Sequence, residues 1–413
     1  MDIDIDMLKR NKNQRLLNIL PKISERLNIT ESDLKNAINR KIIAHDTYKN
    51  QKYILFKKKY RHIERGTILF LNENLDYIMG YPKIRRAMVL DPTLKNYFID
   101  KIAIEEKLDG YNVRIAKINN TEIVAITRGG RICPFTTKKA LKFIDTKILN
   151  DYPDIMLCGE MIGLNNPYVP YYYPEVDNNI NYEGDTSDNS NDIENLGFYI
   201  FDIRNKETNK SLTISQKGEL LKKYNLPHIQ PIDIVNKEEI SKIKEIILKL
   251  DHEKREGIIL KDPDMVINPI KYTTHHTQCS DLSIAFTYMY DLGINFMFSR
   301  LVREGYQSIE FNENKEEMEQ RAKEIGESIL YPMINTIKKV SKNETIREDF
   351  EIFMDNEEDL NEFLVYLKKL HIAYVILEKE QINNSIIKIK IGRLYNSTND
   401  KIKSHLNGNL WSD

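Results

Sequence analysis

Cysteine is scarce, with three residues in 413, at Cys133, Cys158 and Cys279. The number is odd and no pair has CxxC spacing, which argues against a disulfide framework or a thiolate zinc site and fits a reducing cytoplasm. Long apolar runs are missing as well. Nowhere do about 18 consecutive apolar residues occur, and the first seven residues, Met1-Asp-Ile-Asp-Ile-Asp-Met7, are acidic where a secretory leader would be basic. Neither membrane insertion nor secretion is expected. Charge of one sign is lacking too. Lys and Arg number 61 against 62 Asp and Glu, so any nucleic-acid surface must be a local patch rather than a field of the whole chain. His275 and His276 stand without His or Cys at metal-ligand spacing, and no internal repeat is visible.

The chain is too long for one core, since domains usually run about 100–200 residues. Residues 10–44 have the spacing of two helices, with Pro21 as a kink and Thr30 and Asp33 resembling a capping box. Strand-like runs Tyr53–Phe56 and Thr67–Leu71 follow, separated by the basic stretch Lys57–Arg65. That stretch suits either phosphate contact or a solvated hairpin edge. From Lys101 to Lys271 short β-branched runs alternate with turns. Helical pieces are expected at Thr137–Leu149, Gln216–Tyr224 and Lys237–Leu250. Within this stretch Asp177–Asn195 holds six acidic residues, no basic ones and little to bury, and reads as a mobile surface loop. Helix returns after Ser283 with a broad apolar surface from Phe286 to Leu301, which either faces a second subunit or belongs to an ordinary core. The tail reads as strand, helix, two strands and helix.

Five blocks carry chemistry. They are Glu105-Glu-Lys107-Leu-Asp109-Gly110-Tyr-Asn-Val-Arg114, Cys158-Gly-Glu160, Phe198-Tyr-Ile-Phe201-Asp202, Glu256-Gly-Ile-Ile-Leu-Lys261 and Pro269-Ile-Lys271-Tyr-Thr-Thr274. Taken singly each is weak, because a Lys-x-Asp-Gly string also makes an ordinary hairpin turn. Order and spacing together resemble the covalent nucleotidyltransferases, the group of ATP-dependent DNA and RNA ligases and mRNA capping enzymes. No Gly-rich, many-stranded oligonucleotide-binding barrel follows the last block. The segment Gly80-Tyr-Pro-Lys-Ile-Arg-Arg86 lies upstream of the first. This arrangement resembles the dimeric archaeal ATP-dependent RNA ligases over essentially the whole chain.

The resemblance implies an α+β, multidomain fold. A central nucleotidyltransferase of ATP-grasp-like antiparallel sheets (76–278) would follow an N-terminal module (1–75) and precede a helical dimerisation domain (279–345) and a small α+β C-terminal domain (346–413). It implies Lys107 as the nucleophile toward the α-phosphate of ATP, with Lys261 and Lys271 as catalytic cations. It places Glu105, Asp109, Gly110, Arg114, Glu160 and Phe201 around the nucleotide. Arg114 and Glu160 would meet the ribose, Glu105 the adenine amino group, and Phe201, with Phe198 as rival, would stack on the base. Thr127-Arg128-Gly-Gly130 resembles the block that holds an RNA 5′-phosphate, through Arg128. Glu256 and Glu160 would hold Mg2+ or Mn2+. Many relatives carry Lys-x-Lys in the last block, whereas Pro269 and Thr273 flank a single Lys271 here, so the second phosphate contact is absent or supplied elsewhere.

A free lysine, with a pKa near 10.4, leaves only about 1 in 10³ amines neutral at pH 7. Neighbouring cations are expected to lower the pKa of Lys107 and to stabilise charge on the transferring phosphate. The resemblance implies a cytoplasmic homodimer that joins or circularises RNA with 5′-phosphate and 3′-hydroxyl ends at the expense of ATP. The alternatives are a DNA ligase, a capping-type guanylyltransferase, or a non-catalytic RNA-binding dimer.

Overall fold

The computed structural model of the chain describes residues 19–119, 121–179, 193–290, 292, 294–383 and 386–410. It is α+β throughout, as expected. Near the N-terminus a helix over 19–27 and the helix Glu31–Asn39, capped by the Thr30 side chain, pack on an antiparallel meander. The meander runs through Ile43–Tyr48, Gln51–Phe56, Ile68–Phe70 and Tyr77–Ile78. The basic stretch Lys57–Arg65 links its second and third strands. Two of its cations are engaged within the chain, Lys59 by Glu64 and Arg61 by Asp33, the latter at 2.9 Å.

Two further sheets position the site. One orders its strands Gly197–Asn205, Ile155–Ile162, Tyr111–Ile118 and Glu122–Thr127, all antiparallel. The other orders Asp233–Asn236, Lys101–Lys107, Gly257–Lys261, Ile270–Thr273 and Arg85–Arg86, with only the last pairing parallel.

Strand alternation explains what faces where. In the five-stranded sheet Ile102, Ile104, Ile258, Leu260, Ile270 and Tyr272 enter a core closed by the helices Leu90–Tyr97 and Ile240–His252. Glu105, Lys107, Ile259, Lys261 and Lys271 are left on the other face. In the four-stranded sheet Val113, Ile115, Leu157 and Met161 enter one core, while Ala116, Ile118, Met156 and Cys158 enter another against the N-terminal meander. Asn112 and Glu160, directly paired across neighbouring strands, share the second face beyond the edge of that core.

Three helices follow, His275–Tyr288, Ile294–Glu310 and Lys315–Ser341. They are tied to the five-stranded sheet by Arg303, which donates to the carbonyls of Ala87 and Thr273 at 3.0 and 2.8 Å, and by Glu310, which accepts from the Tyr272 hydroxyl at 3.0 Å. The tail forms an antiparallel sheet ordered Arg347–Met354, Ile386–Leu394 and Tyr374–Asn383, with the helices Glu357–Lys369 and Asn396–Leu406. Its Phe350, Ile352, Leu360 and Phe363 join the same core as Val113 and Leu157. Of the acidic stretch expected to be a mobile loop, residues 180–192 lie outside the described residues; its ends, Asp177–Asn179 and Ile193–Asn195, pair as antiparallel strands. Among the described residues no helix is long and apolar enough to cross a membrane.

Candidate active site

The two sheets enclose a cavity of about 560 Å3. Of the residues singled out in the sequence, Glu105, Lys107, Gly110, Arg128, Glu160, Phe201, Lys261 and Lys271 line it. Chain reversal at Asp109-Gly110 puts Lys107 at the end of one strand and Tyr111 at the start of the next, in the other sheet. The turn needs its glycine, because a Cβ at Gly110 would stand 2.3 Å from the carbonyl oxygen of Met161. The Asp109 amide donates to the Tyr173 hydroxyl at 2.6 Å and fixes the loop from outside.

At one end of the cavity, the Lys107 ammonium bonds to the Glu256 carboxylate from the facing strand. Burial pulls the pKa of Lys107 down, but the carboxylates of Glu256, Glu160 and Asp109 outweigh it, and the net shift is upward. This is the reverse of the shift expected from neighbouring cations, because the attraction of three carboxylates is the stronger influence on Lys107. Two of those acids are shifted in turn. Burial, reinforced by Glu256 against the pull of Lys107, pushes Glu160 up to about 8. Burial and Glu256 push Asp109 up to about 7. Lys271 is brought down to about 8 by burial and then by Lys107 and Arg86.

Arg86 brings a second cation to this region: it pairs in parallel register with Lys271, and its guanidinium donates at 2.7 Å to Thr273, one of the two residues flanking Lys271 in the last block. This cation comes from a strand 185 positions upstream of Lys271. No local motif in the sequence announces it.

At the other end, Lys261 is not a free cation. Its ammonium lies 2.6 Å from Glu105 and 2.7 Å from Asp202, and donates to the Phe201 carbonyl at 2.8 Å. Lys217, which the sequence did not single out, bonds the other Glu105 oxygen at 2.6 Å. Glu105 therefore lines the cavity with both oxygens already held by lysines. Between Ile200 and Asp202 the strand register shifts, a β-bulge at Phe201. The bulge turns Phe201 and Asp202 to the same side, where both meet Tyr81: the Phe201 ring edge-to-face at 5.2 Å, Asp202 through the Tyr81 hydroxyl. Phe198 keeps the opposite face and is buried in the core, so of the two aromatic candidates only Phe201 reaches the cavity.

Arg114 does not reach it. Its side chain is fully buried and donates to the carbonyls of Met79, Gly66 at 2.8 Å and Thr127 at 3.2 Å, clamping the N-terminal meander to the four-stranded sheet. Burial lowers this guanidinium to about 10. On the Arg114 face of this strand it is Asn112 that lines the cavity, opposite Glu160, with its Oδ1 buried and unbonded among the described residues. Alternation would have signalled it: with Val113 and Ile115 in the core, Asn112 and Arg114 share the other face, and Asn112 is nearer the open end. His275 is held between Glu304 and Glu324, the latter at 2.7 Å, which ties the three helices together.

With this geometry in place, the relatives can be named. Residues 100–273 match the family model for RNA ligase, and residues 284–409 match the one described as the C-terminal region of ligase Pab1020. Two solved forms of an archaeal ATP-dependent RNA ligase share 38% of their sequence with this chain over 95% of it and 99% of their own length, with a TM-score of 0.85. The chain belongs to the archaeal ATP-dependent RNA ligase family. Its ligase fold extends to a solved protein of Aquifex aeolicus, described as a candidate ATP-dependent DNA ligase, at 27% identity and a TM-score of 0.82 over 93% of this chain and all of that one. An uncharacterized protein of Methanocaldococcus jannaschii is 54% identical to this ligase-family chain over 396 residues, 95% of it and 97% of the relative.

Proposed function

We propose that the chain joins or circularises RNA carrying 5′-phosphate and 3′-hydroxyl ends through a lysyl-AMP and an RNA-adenylate. The observation that carries this reading is the meeting of Lys107 with Glu256, Glu160, Lys271 and Arg128 at one end of a cavity whose other end holds Phe201 and Ile259. The flat apolar end suits adenine, and the charged end suits phosphates.

Three balanced transfers follow. Lys107 Nζ attacks the α-phosphorus of ATP; a P–N bond forms, the P–O bond to pyrophosphate breaks, and the amine gives up a proton. An oxygen of the RNA 5′-phosphate, held by Arg128, then attacks the same phosphorus, and the P–N bond breaks as Lys107 regains its proton. Finally the 3′-hydroxyl attacks the 5′-phosphate phosphorus, AMP leaves, and the hydroxyl proton is released. Lys271 and Arg86 stabilise the negative charge gathering on the transferring phosphate, and Asn112 offers its amide to the nucleotide beside Glu160.

Before the first transfer Lys107 is an ammonium held by Glu256, so the attacking amine forms only once that carboxylate is neutralised. A divalent cation fits here. Glu160 and Glu256 offer hard oxygen donors beside Lys107. Among the described residues no three His, Cys, Asp or Glu form a closed site. Mg2+, and likewise Mn2+, takes one or two carboxylates and completes its shell with phosphate oxygens and water. When bound it supplies charge neutralisation on the phosphates.

A second copy of the chain is the occupant we assign to the apolar face of the helices Ile294–Glu310 and Lys315–Ser341. Phe298, Leu301, Ile309, Leu330, Tyr331 and Ile334 are all exposed there at helical spacing. The deciding experiment for the enzyme is incubation with magnesium and α-labelled ATP or GTP, followed by denaturing electrophoresis. Label from ATP alone, absent in Lys107→Ala, is expected. An unchanged yield in Lys107→Ala rules out this nucleophile, and label from GTP alone points to capping chemistry.

A further inference from the structure

The cavity has a second aromatic end. Past Arg128, Gly129 and Arg131 it continues to Tyr111, Tyr168, Tyr366 and Leu370. Phe201 packs with the core on one face of the four-stranded sheet, whereas Tyr111, Tyr168 and Tyr366 belong to the core on its other face. The two aromatic ends are therefore separate, joined around the Thr127–Arg131 turn at the sheet edge. Tyr366 and Leu370 come from the helix Glu357–Lys369 and the residue that caps it, one helical turn apart, so the C-terminal sheet-and-helix unit builds part of the cavity wall.

The tyrosines leave apolar ring surface to a ligand. Their rings are fixed: Tyr111 and Tyr168 meet edge-to-face at 4.7 Å, the Tyr111 hydroxyl lies 2.9 Å from Thr136 Oγ1, and the Tyr168 hydroxyl lies 3.1 Å from Cys133 Sγ. Arg131 is held at the rim by Asp46 at 2.7 Å. Rigid aromatic walls next to arginines suit a nucleobase whose phosphate lies toward the arginines.

We propose that this second end takes the nucleobase of the RNA's 5′-terminal nucleotide. The inference rests on the ligase reading above. Transfer of AMP to the RNA 5′-phosphate links two nucleosides through one pyrophosphate, so two bases must be accommodated at once, and the first, adenine, lies near Phe201. The 5′-phosphate engaged by Arg128 belongs to the same nucleotide as the base it precedes, so that base falls in the part of the cavity just beyond Arg128.

The test uses full-length protein first loaded as enzyme-AMP, then mixed in single turnover with 5′-phosphorylated RNA that is intact, abasic at the 5′-terminal nucleotide, or abasic at the 3′-terminal one. In the wild type the 5′-abasic RNA should form RNA-adenylate about 5- to 150-fold less efficiently than intact RNA, the range that one stacked base contributes. In Tyr168→Ala that ratio should shrink toward one, a result that loss of structure alone does not produce because the ratio is taken within one loaded enzyme. Equal use of intact and 5′-abasic RNA by the wild type overturns the proposal, and needs no variant to fold. So does a penalty confined to the 3′-abasic RNA, which would assign the pocket to the other strand. Failure to form enzyme-AMP at all would instead sink the ligase reading.

Discussion

Replacing Glu105 by Gln should destabilise the protein through charge imbalance rather than lost packing. Glu105, Asp202, Lys217 and Lys261 are each no more than 2% exposed, and Arg204 stands 3.4 Å from Asp202. Two carboxylates thus face three cations. Glu105→Gln leaves Asp202 alone against Lys217, Lys261 and Arg204. Removing one partner of a buried ion pair costs about 3–5 kcal/mol, and the loss here should fall near about 3 kcal/mol because glutamine keeps one acceptor oxygen. For a domain of about 150–250 residues that lowers Tm by roughly 6–12 °C. Adding Lys217→Met restores the original charge difference, so the double variant should recover at least about 1 kcal/mol. The pH dependence has a definite sign. Burial and Lys261 already hold Lys217 below its ordinary value, and removal of Glu105 depresses it further. A lysine with a lowered folded pKa releases its proton on folding, so stability rises with pH and the loss in Glu105→Gln should be smaller at pH 9 than at pH 7. Urea unfolding of the two single variants and the double, at both pH values, measures all of this. A double variant whose loss equals or exceeds the sum of the singles, or a loss that grows with pH, would refute the reasoning.

Three further outcomes follow from the same geometry. Gly66 has φ +87°, and a Cβ there would stand 2.3 Å from the Arg128 carbonyl oxygen; Gly66→Ala should cost about 1–3 kcal/mol in urea unfolding and slow transfer of AMP to RNA more than formation of enzyme-AMP. A double substitution Phe298→Glu, Leu301→Glu should convert a particle of twice 48.7 kDa to one of 48.7 kDa in light scattering; a wild type that is already monomeric removes the dimer. Burial pushes Asp202 upward, but Lys261, Arg204 and Lys217 outweigh it and its folded pKa lies below 3.8. Its contribution is therefore present above pH 3.8 and lost as pH falls below that value, and the pH-dependence of unfolding in acid should flatten in Asp202→Asn.

The five blocks were legible in the sequence because each couples a reactive side chain to a local backbone requirement: Lys107 to the Asp109-Gly110 turn, Glu256 and Lys271 to short strands whose alternate residues are apolar. Helices at Ile240–His252 and Glu357–Lys369, and the strands of the tail, were legible for the same reason, since periodicity is a property of neighbouring residues. Arg114 was misread because alternation gives the face a residue takes and not how far along that face the cavity extends. The N-terminal meander covers Arg114 and leaves Asn112 open. The bulge that selects Phe201 over Phe198 arises from pairing with Ile155–Ile162, which no local pattern records.

The reactive groups and the strands that carry them are written in the order of the residues. The tertiary structure alone decided their charge states and companions. Lys107 is raised because Glu256, 149 residues away, bonds to it and with Glu160 and Asp109 outweighs burial, and the charge of Lys261 is balanced because Glu105 and Asp202 close on it from two other strands. Arg86 is brought beside Lys271, and Tyr366 completes a wall of the cavity, on the same principle. Electrostatic and stacking energies depend on distance in space, and chain folding sets those distances between residues that are remote in sequence.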